Sequence, residues 1–322
     1  MPSPHKHKWL AISAQIIVSA AALSYVIYKI IAFDEWSSFF HRINENIQLF
    51  ILLCFIQLIL AVLNIFLESR KWQLLASVLQ PCSFFDSLRQ VLWGLQMGMI
   101  TPGKVGEPIG KAALMKKGNR TQAFVLSVEG SVLQNIVIAI GGFVAFIISG
   151  ESFIFKNRIT NSLYENTTYY GLLILTGIIL LLCVIYVFFR IFKETTFVKR
   201  IISSIQIIKK TDIKLLSRLF ILTTARYLVF SFQLWFTLNF LGVISSASHI
   251  ALIPIYYFII TIIPSFALAD LGIRSSVALF IFGIISSDVA AIVSSIFIVW
   301  IFNLAFPSLV GISVLRPKKR ES

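Results

Sequence analysis

Long apolar stretches separated by short charged segments dominate the chain. Six of these stretches reach the roughly 20 residues that an α-helix needs to cross the hydrocarbon core of a bilayer. Each is therefore predicted to be a full membrane span. The predicted spans cover residues 9–28, 47–67, 125–149, 170–189, 219–241 and 290–315.

Two further apolar regions are interrupted. Residues 88–115 contain the sequence Thr-Pro-Gly-Lys-Val-Gly-Glu-Pro, and residues 250–285 are broken around Pro264 and again near Asp270. Proline removes a backbone donor and glycine admits unusual backbone angles, so a regular helix cannot run through the first of these breaks. Each region is predicted to form either a pair of short spans or a re-entrant helical hairpin.

The distribution of Lys and Arg predicts the orientation of the chain in the membrane. Residues 190–218 hold eight basic residues against two acidic ones, and basic clusters also occur at 116–120 and 316–320. Cytoplasmic loops carry such an excess, so we expect all three segments, and both termini, in the cytoplasm. The apolar stretch at 9–28 is too long for a cleaved signal peptide and is predicted to be retained. The chain is thus expected to be a multi-pass membrane protein.

The order of these elements suggests an internal repeat. Glu107 and Lys111 recur 163 positions later as Asp270 and Arg274, and the same shift places residues 9–28 on 170–189. Because the two halves would run in opposite directions, they predict inverted repeats over 9–149 and 170–315 within one transmembrane domain, 1–322. Secondary transporters are often built this way, with the substrate site where the broken helices meet. The expected fold is an all-α polytopic membrane bundle.

Composition excludes a water-soluble fold. Of 322 residues, 57% are hydrophobic and only 13% are charged, whereas soluble domains are about 25% charged. The net charge of +14 lies in clusters between apolar runs, which favours membrane topology over nucleic-acid binding. The three cysteines are far apart, and neither a zinc-ligand spacing nor a phosphate-cradling glycine loop occurs. We therefore expect no metal, no cofactor and no enzymatic activity.

The first interruption carries the strongest candidate chemistry. If Pro108 opens a new helix, Glu107 and Lys111 share one helix face as an acid and base four residues apart. The helix start can bind an anionic group such as a lipid phosphate, with Lys104 and Lys111 as countercharges. The alternative is an interfacial loop whose lysines reach the headgroups. The backbone of this motif depends on Thr101, Pro102, Gly103 and Gly106.

The second interruption repeats this pattern with Pro264 and Gly272 as its backbone residues. Asp270 and Arg274 are again four apart, and they form either part of a binding site or a structural ion pair. Ionisable residues inside spans usually mark a pathway, so Arg226 and Glu129 are second-tier candidates. Arg226 can instead reach the interface, and Glu129 can instead be a scaffold residue that pairs with Arg226 or Lys111.

Several motifs resemble those of a known family. Glu-Ser-Arg-Lys-Trp at 68–72, the pair Phe84-Phe85, Gly-Met-Ile-Thr-Pro-Gly-Lys-Val-Gly-Glu at 98–107 and the segment 123–129 are similar to the lysylphosphatidylglycerol synthase transmembrane region, a flippase-like membrane family. Ile-Pro-Ser at 263–265 and Leu-Gly-Ile-Arg at 271–274 look like its second motif. The resemblance extends over nearly the whole chain.

This resemblance implies a protein that moves a polar lipid between leaflets. Bifunctional members continue into a soluble aminoacyl-transferase domain, whereas this sequence ends at Ser322, so we do not expect lysyl transfer. The leading expectation is a lipid flippase-like transporter for a polar or anionic lipid of the polyprenyl or phosphatidylglycerol type, with membrane lipids as partners. The alternative is a non-catalytic accessory protein that presents a lipid-linked precursor to a glycosyltransferase or another envelope or lipid-modifying enzyme.

Overall fold

The computed structural model describes residues 27–28, 31, 36–101, 104–149, 213–263 and 267–314. Within these ranges the ordered elements are helical. The predicted span 170–189, nearly all of the predicted span 9–28 and most of the basic segment 190–218 lie outside the described residues. The helices are α1 (Trp36–Glu45), α2 (Ile47–Ala76), α3 (Phe84–Ile100), α4 (Gly106–Ala113), α5 (Arg120–Ser149), α6 (Ile213–Phe240), α7 (Leu252–Ile262), α8 (Ala267–Phe282), α9 (Val289–Trp300) and α10 (Phe306–Val314).

Four helices of the described ranges are long and apolar enough to cross a membrane. They correspond to four of the predicted spans and cover Ile47–Ala76, Lys117–Ile148, Ile213–Phe240 and Val289–Gly311. The first has 30 residues and is about 45 Å long at 1.5 Å per residue, more than the bilayer core requires. The prediction of an all-α membrane bundle is confirmed.

The first interrupted region is a helical hairpin. The hydroxyl of Ser83 caps α3 by accepting a hydrogen bond from the Asp86 N–H, at 3.1 Å. The helix ends where Thr101 donates to the Met97 carbonyl (2.9 Å) and accepts from the Gly106 N–H (2.7 Å), which starts α4. With eight residues, α4 is only about 12 Å long and cannot cross the bilayer. The region is therefore a hairpin and not a pair of full spans.

The second interrupted region has the same form. Its arms, α7 and α8, contain 11 and 16 residues and pack against each other. Both are shorter than the roughly 20 residues of a full span. Pro264 lies in the break and outside the described residues, as do Pro102 and Gly103 in the first break.

The last span contains a π-helical turn, Ile301–Ala305, between α9 and α10. Pro307 lies two residues beyond the end of this turn. Proline has no N–H for the carbonyl four residues earlier, and its ring clashes with that carbonyl, here the carbonyl of Asn303. The wider turn relieves this conflict without ending the helix. On one side of the turn α9 packs on α8, and on the other side α10 packs on α3.

The chain divides into two compact units, Met1–Phe146 with Ser217–Ser322 and Ile147–Leu216. Nearly all described residues belong to the first unit. Along the chain the order of long helix, hairpin and long helix occurs twice, as α2 to α5 and as α6 to α10, where α9, the π turn and α10 together form the last long helix. The inverted orientation of the two halves, and the repeat bounds 9–149 and 170–315, stay predictions.

Candidate functional site

A buried carboxylate on α2 joins three cations from three helices. One oxygen of Glu68 accepts a hydrogen bond from Lys111 on α4, at 2.7 Å. The other oxygen lies 2.8 Å from the Arg226 guanidinium on α6 and 2.7 Å from the Lys71 ammonium. Together with Glu107, these residues form what we call the Glu68 cluster. Ion pairs of this kind are stable away from water only when each charge is matched by close partners.

The predicted pairing of Glu107 with Lys111 is present in the structure. Their side chains are 2.8 Å apart on one face of α4, and Lys111 is only 2% exposed. Pro108 lies in the first turn of α4. Backbone N–H groups have no helical acceptor there, so a proline costs no hydrogen bond. Lys111 also lies 5.7 Å from the centre of the Trp72 ring, a cation–π distance. Lys111 is therefore held by two carboxylates and an aromatic face.

Close approach of two glycines allows the hairpin to form. A Cβ atom at Gly110 would come within 2.8 Å of the Gly94 Cα atom and 2.9 Å of the Trp93 carbonyl oxygen. A Cβ atom at Gly94 would lie 2.9 Å from the Cγ atom of Lys111. A side chain at either position would therefore push α3 and α4 apart and displace the lysine from its partners.

A second charged group, the Asp270 cluster, connects the two hairpins. Asp270 and Arg274 are 2.8 Å apart on α8, and the predicted pairing of these two residues is present. Lys104, in the break of the first hairpin, lies 3.7 Å from the same carboxylate. Its backbone has φ +57°, a left-handed conformation that is costly for a residue with a side chain. The strained backbone holds the lysine where the broken elements meet.

Cations exceed carboxylates in both clusters. The Glu68 cluster has three cations for two carboxylates, and the Asp270 cluster has two cations for one. The accessible charges are also mostly positive. Lys104, Arg274 and Arg226 keep 36%, 25% and 23% side-chain exposure, and among the carboxylates only Glu107 keeps a comparable 22%. Among the described residues, this arrangement favours an anionic ligand.

Two other predicted residues have different surroundings. Glu129 is half-buried on α5, and neither carboxylate oxygen has a hydrogen-bond partner. Arg226 and Lys111, the cations suggested for it, bond to Glu68 instead. Gly272 lies on α8 between Asp270 and Arg274, and its carbonyl accepts a bond from Ser276 at 2.9 Å. The structure does not bring Glu129 into either cluster.

Sequence reasoning missed the central role of Glu68 and Lys71. A readable signal existed, because polar residues recur along α2 at helical spacing, at Gln57, Asn64, Glu68 and Lys71. All four are buried. A polar stripe on an otherwise apolar span indicates the side that faces other protein segments.

One of the comparisons with known proteins gave a match. In the described part of the chain, no three His, Cys, Asp or Glu side chains come together as a metal site would require. The family model described as lysylphosphatidylglycerol synthase TM region matches residues 12–311. Curated proteins and solved structures gave no match.

Proposed function

The chain belongs to the family of the lysylphosphatidylglycerol synthase TM region, and from this premise we propose that it is a flippase-like lipid transporter. It is a membrane protein, and its proposed substrate is a lipid with an anionic headgroup that moves between the leaflets. The headgroup binds where the two hairpins meet, while the acyl or isoprenoid tail remains in the surrounding lipid.

The observation that carries this proposal is the excess of accessible positive charge in the two clusters. Lys104, Arg226 and Arg274 keep accessible side-chain surface, whereas their partners Glu68 and Asp270 are almost fully buried. A cation in the bilayer core is costly, and residues of this kind usually mark a substrate pathway. A phosphate group offers several acceptor oxygens, and the planar guanidinium groups of Arg226 and Arg274 suit such a ligand.

Other side chains of the two clusters have a supporting role in this proposal. Lys111 and Lys71 are almost fully buried and already bonded to carboxylates, so they position Glu68 and Glu107 and do not contact the lipid. The protein is proposed to act without chemical change to the lipid. Glu129, outside both clusters, is not part of the proposed headgroup site.

The exposed basic residues of the described helices support a cytoplasmic location for one end of the bundle. Arg70 follows Glu68 at the end of α2, Arg218 precedes Arg226 at the start of α6, and Lys116, Lys117 and Arg120 lie near the start of α5. The contact between Glu68 and Arg226 brings the first two of these ends together. An excess of Lys and Arg marks the cytoplasmic side. We propose that this end faces the cytoplasm of the inner membrane, and that both termini lie on the same side.

Leaflet exchange in proteoliposomes tests the proposal. Fluorescent phosphatidylglycerol, a polyprenyl phosphate and zwitterionic phosphatidylcholine are compared for wild type, Lys104→Gln and Arg274→Gln. Lys116→Gln is the matched control, because Lys116 is exposed and outside both clusters. We expect faster exchange of the anionic lipids by wild type and by the control, and loss of that exchange in the two site variants with their melting temperatures retained.

Two results would contradict the proposal. Equal exchange by wild type and by both site variants would remove the site from the pathway. No exchange of any lipid by wild type, with or without a pH gradient or a membrane potential, would favour the accessory protein that presents a lipid-linked precursor to an envelope enzyme.

A further inference from the structure

A chain of buried and half-buried amide side chains extends from the Glu68 cluster to the π turn of the last span. Arg226 donates to the side-chain oxygen of Asn64 at 2.8 Å. Asn64 in turn donates to the side-chain oxygen of Asn303 at 2.7 Å. Asn303 is the middle residue of the π turn Ile301–Ala305. Two hydrogen bonds therefore join the turn to a cation that also binds Glu68.

The chain continues beyond the turn. Asn303 donates to the side-chain oxygen of Gln233 at 2.9 Å, and Gln233 donates to Gln57 at 3.2 Å. Gln57 donates to the Thr237 hydroxyl at 2.9 Å. From Glu68 to Gln57 the network follows 11 residues of α2, about 16 Å along the helix axis. Each amide is oriented by its neighbours, so a change in one bond affects the next.

The position of the π turn connects this network to both hairpins. On its two sides, α9 packs on the second hairpin and α10 packs on the first, and α2 contacts the turn itself. A shift within the turn therefore changes the relation of the two hairpins. π-helical turns occur mostly as single-turn bulges, often at functional sites.

We propose that Asn303 is a positioning residue that couples the binding of an anionic headgroup at Arg226 to the relative movement of the two hairpins. This inference rests on the proposed lipid transport. When Arg226 turns from Glu68 toward a headgroup, the side-chain oxygen of Asn64 loses the hydrogen bond that Arg226 donates. The amide of Asn64 then reorients together with Asn303, which changes the π turn. Asn303 itself does not contact the lipid.

The alternative is that the amides only hold helices together, as they commonly do in membranes. The two roles differ in which substitution does most damage. Gln233 is fully buried and bonds both to Gln57 and to Asn303, so its loss removes more contacts than the loss of Asn64. In the order of the hydrogen bonds, however, Gln233 comes after Asn303 and is not part of the link between Arg226 and Asn303. Coupling requires Asn64 and Asn303, whereas simple cohesion depends at least as strongly on Gln233.

The experiment compares Asn303→Leu, Asn64→Leu and Gln233→Leu, which remove the amide group; leucine has the same side-chain branching as asparagine and one heavy atom fewer than glutamine. Ser295→Ala is the matched control, since this buried hydroxyl of α9 bonds only within its own helix, to the Ala291 carbonyl. Two quantities are measured for each protein: the rise in melting temperature on adding phosphatidylglycerol in detergent, and the rate of phosphatidylglycerol exchange in proteoliposomes.

We expect Asn303→Leu and Asn64→Leu to slow exchange about tenfold, the change produced by a coupling free energy of about 1.4 kcal/mol. Stabilisation by phosphatidylglycerol should persist in both. Ser295→Ala should exchange lipid near the wild-type rate, and Gln233→Leu, which leaves the link from Arg226 to Asn303 intact, should slow exchange less than Asn303→Leu or Asn64→Leu does. Asn64→Leu also breaks the hydrogen-bonded link between Arg226 and Asn303. It therefore tests the proposal even if Asn303→Leu does not fold.

Two results would overturn the inference while leaving lipid transport intact. One is wild-type exchange in Asn303→Leu or Asn64→Leu, and the other is an equal slowing by Gln233→Leu, which indicates cohesion. An absence of exchange by wild type would instead overturn the proposed function, and with it the inference. The three results are thus distinguishable in one series of measurements.

Discussion

Replacing Glu68 by glutamine tests whether the Glu68 cluster holds the bundle together. The substitution keeps the size of the side chain and removes its charge, which faces three cations in the structure. Two of these cations keep good partners. Lys111 remains 2.8 Å from Glu107, and Arg226 remains 2.8 Å from the side-chain oxygen of Asn64.

Lys71 determines how much stability the protein loses in Glu68→Gln. Its remaining partner is the Gly130 carbonyl oxygen at 3.4 Å, and its side chain is 4% exposed. Glu68→Gln therefore leaves one buried cation poorly matched, not three. Removing one partner of a buried ion pair costs about 3–5 kcal/mol. We expect the free energy of unfolding to fall by that amount, and not by three times as much.

Thermal melting in detergent measures the effect against a matched substitution. Glu45→Gln removes a carboxylate that is 60% exposed and pairs only with exposed His41, so it should change stability by about 0.5 kcal/mol or less. The double variant Glu68→Gln/Lys71→Met removes the unmatched cation and should recover most of the loss. Equal melting temperatures for Glu68→Gln and Glu45→Gln, or no recovery in the double variant, would refute this reasoning.

Three further substitutions probe local geometry, each followed by thermal melting in the same detergent. Gly110→Ala places a methyl group against backbone atoms of α3 and should destabilise the protein by about 1–3 kcal/mol. Gly118→Ala is the control and should have little effect, because no atom lies within 4 Å of the added carbon. Equal effects of the two substitutions would count against the close packing of the hairpin. Lys104→Gly should be more stable than Lys104→Ala by about 1 kcal/mol, because φ is +57° there; the reverse order would mean that the backbone is not strained. Ser83→Ala removes the N-cap of α3 and should cost about 1 kcal/mol, and unchanged melting would show that the cap contributes nothing.

Local rules predicted much of the fold. The apolar lengths located the four long helices of the described ranges, although α2 continues nine residues beyond the predicted end at residue 67, to Ala76. Proline and glycine located the first break, and Pro264 located the second. The further interruption predicted near Asp270 was wrong, because Asp270 and Arg274 lie within α8. The spacing of four residues placed Glu107 beside Lys111 and Asp270 beside Arg274, because neighbours on one helix face are fixed by helix geometry alone.

Partners from different helices were beyond such rules. Glu68, Arg70 and Lys71 lie just beyond the predicted end of their span at residue 67. In the structure Glu68 and Lys71 face inward while Arg70 is exposed. Which of the carboxylates Arg226 would contact depends on how α2 and α6 pack, and no local pattern contains that information.

The π turn had a sequence signal that was not used. Residues 290–315 were interpreted as one uninterrupted span, although Pro307 lies inside it. An internal proline distorts the preceding turn. The position of Asn303 in that turn, within reach of both Asn64 and Gln233, follows from the distortion together with the packing of three helices.

The ion pair between Lys71 and Glu68 has a consequence for the synthesis of the protein. Arg226 lies 158 residues after Glu68, so at about 5–20 residues per second the ribosome needs about 10–30 s to make it after Glu68 has been added. Lys71 is on the same helix, three residues away, and is already present when α2 enters the bilayer. The carboxylate is thus inserted as a neutral pair, and this local lysine holds it until the distant arginine arrives.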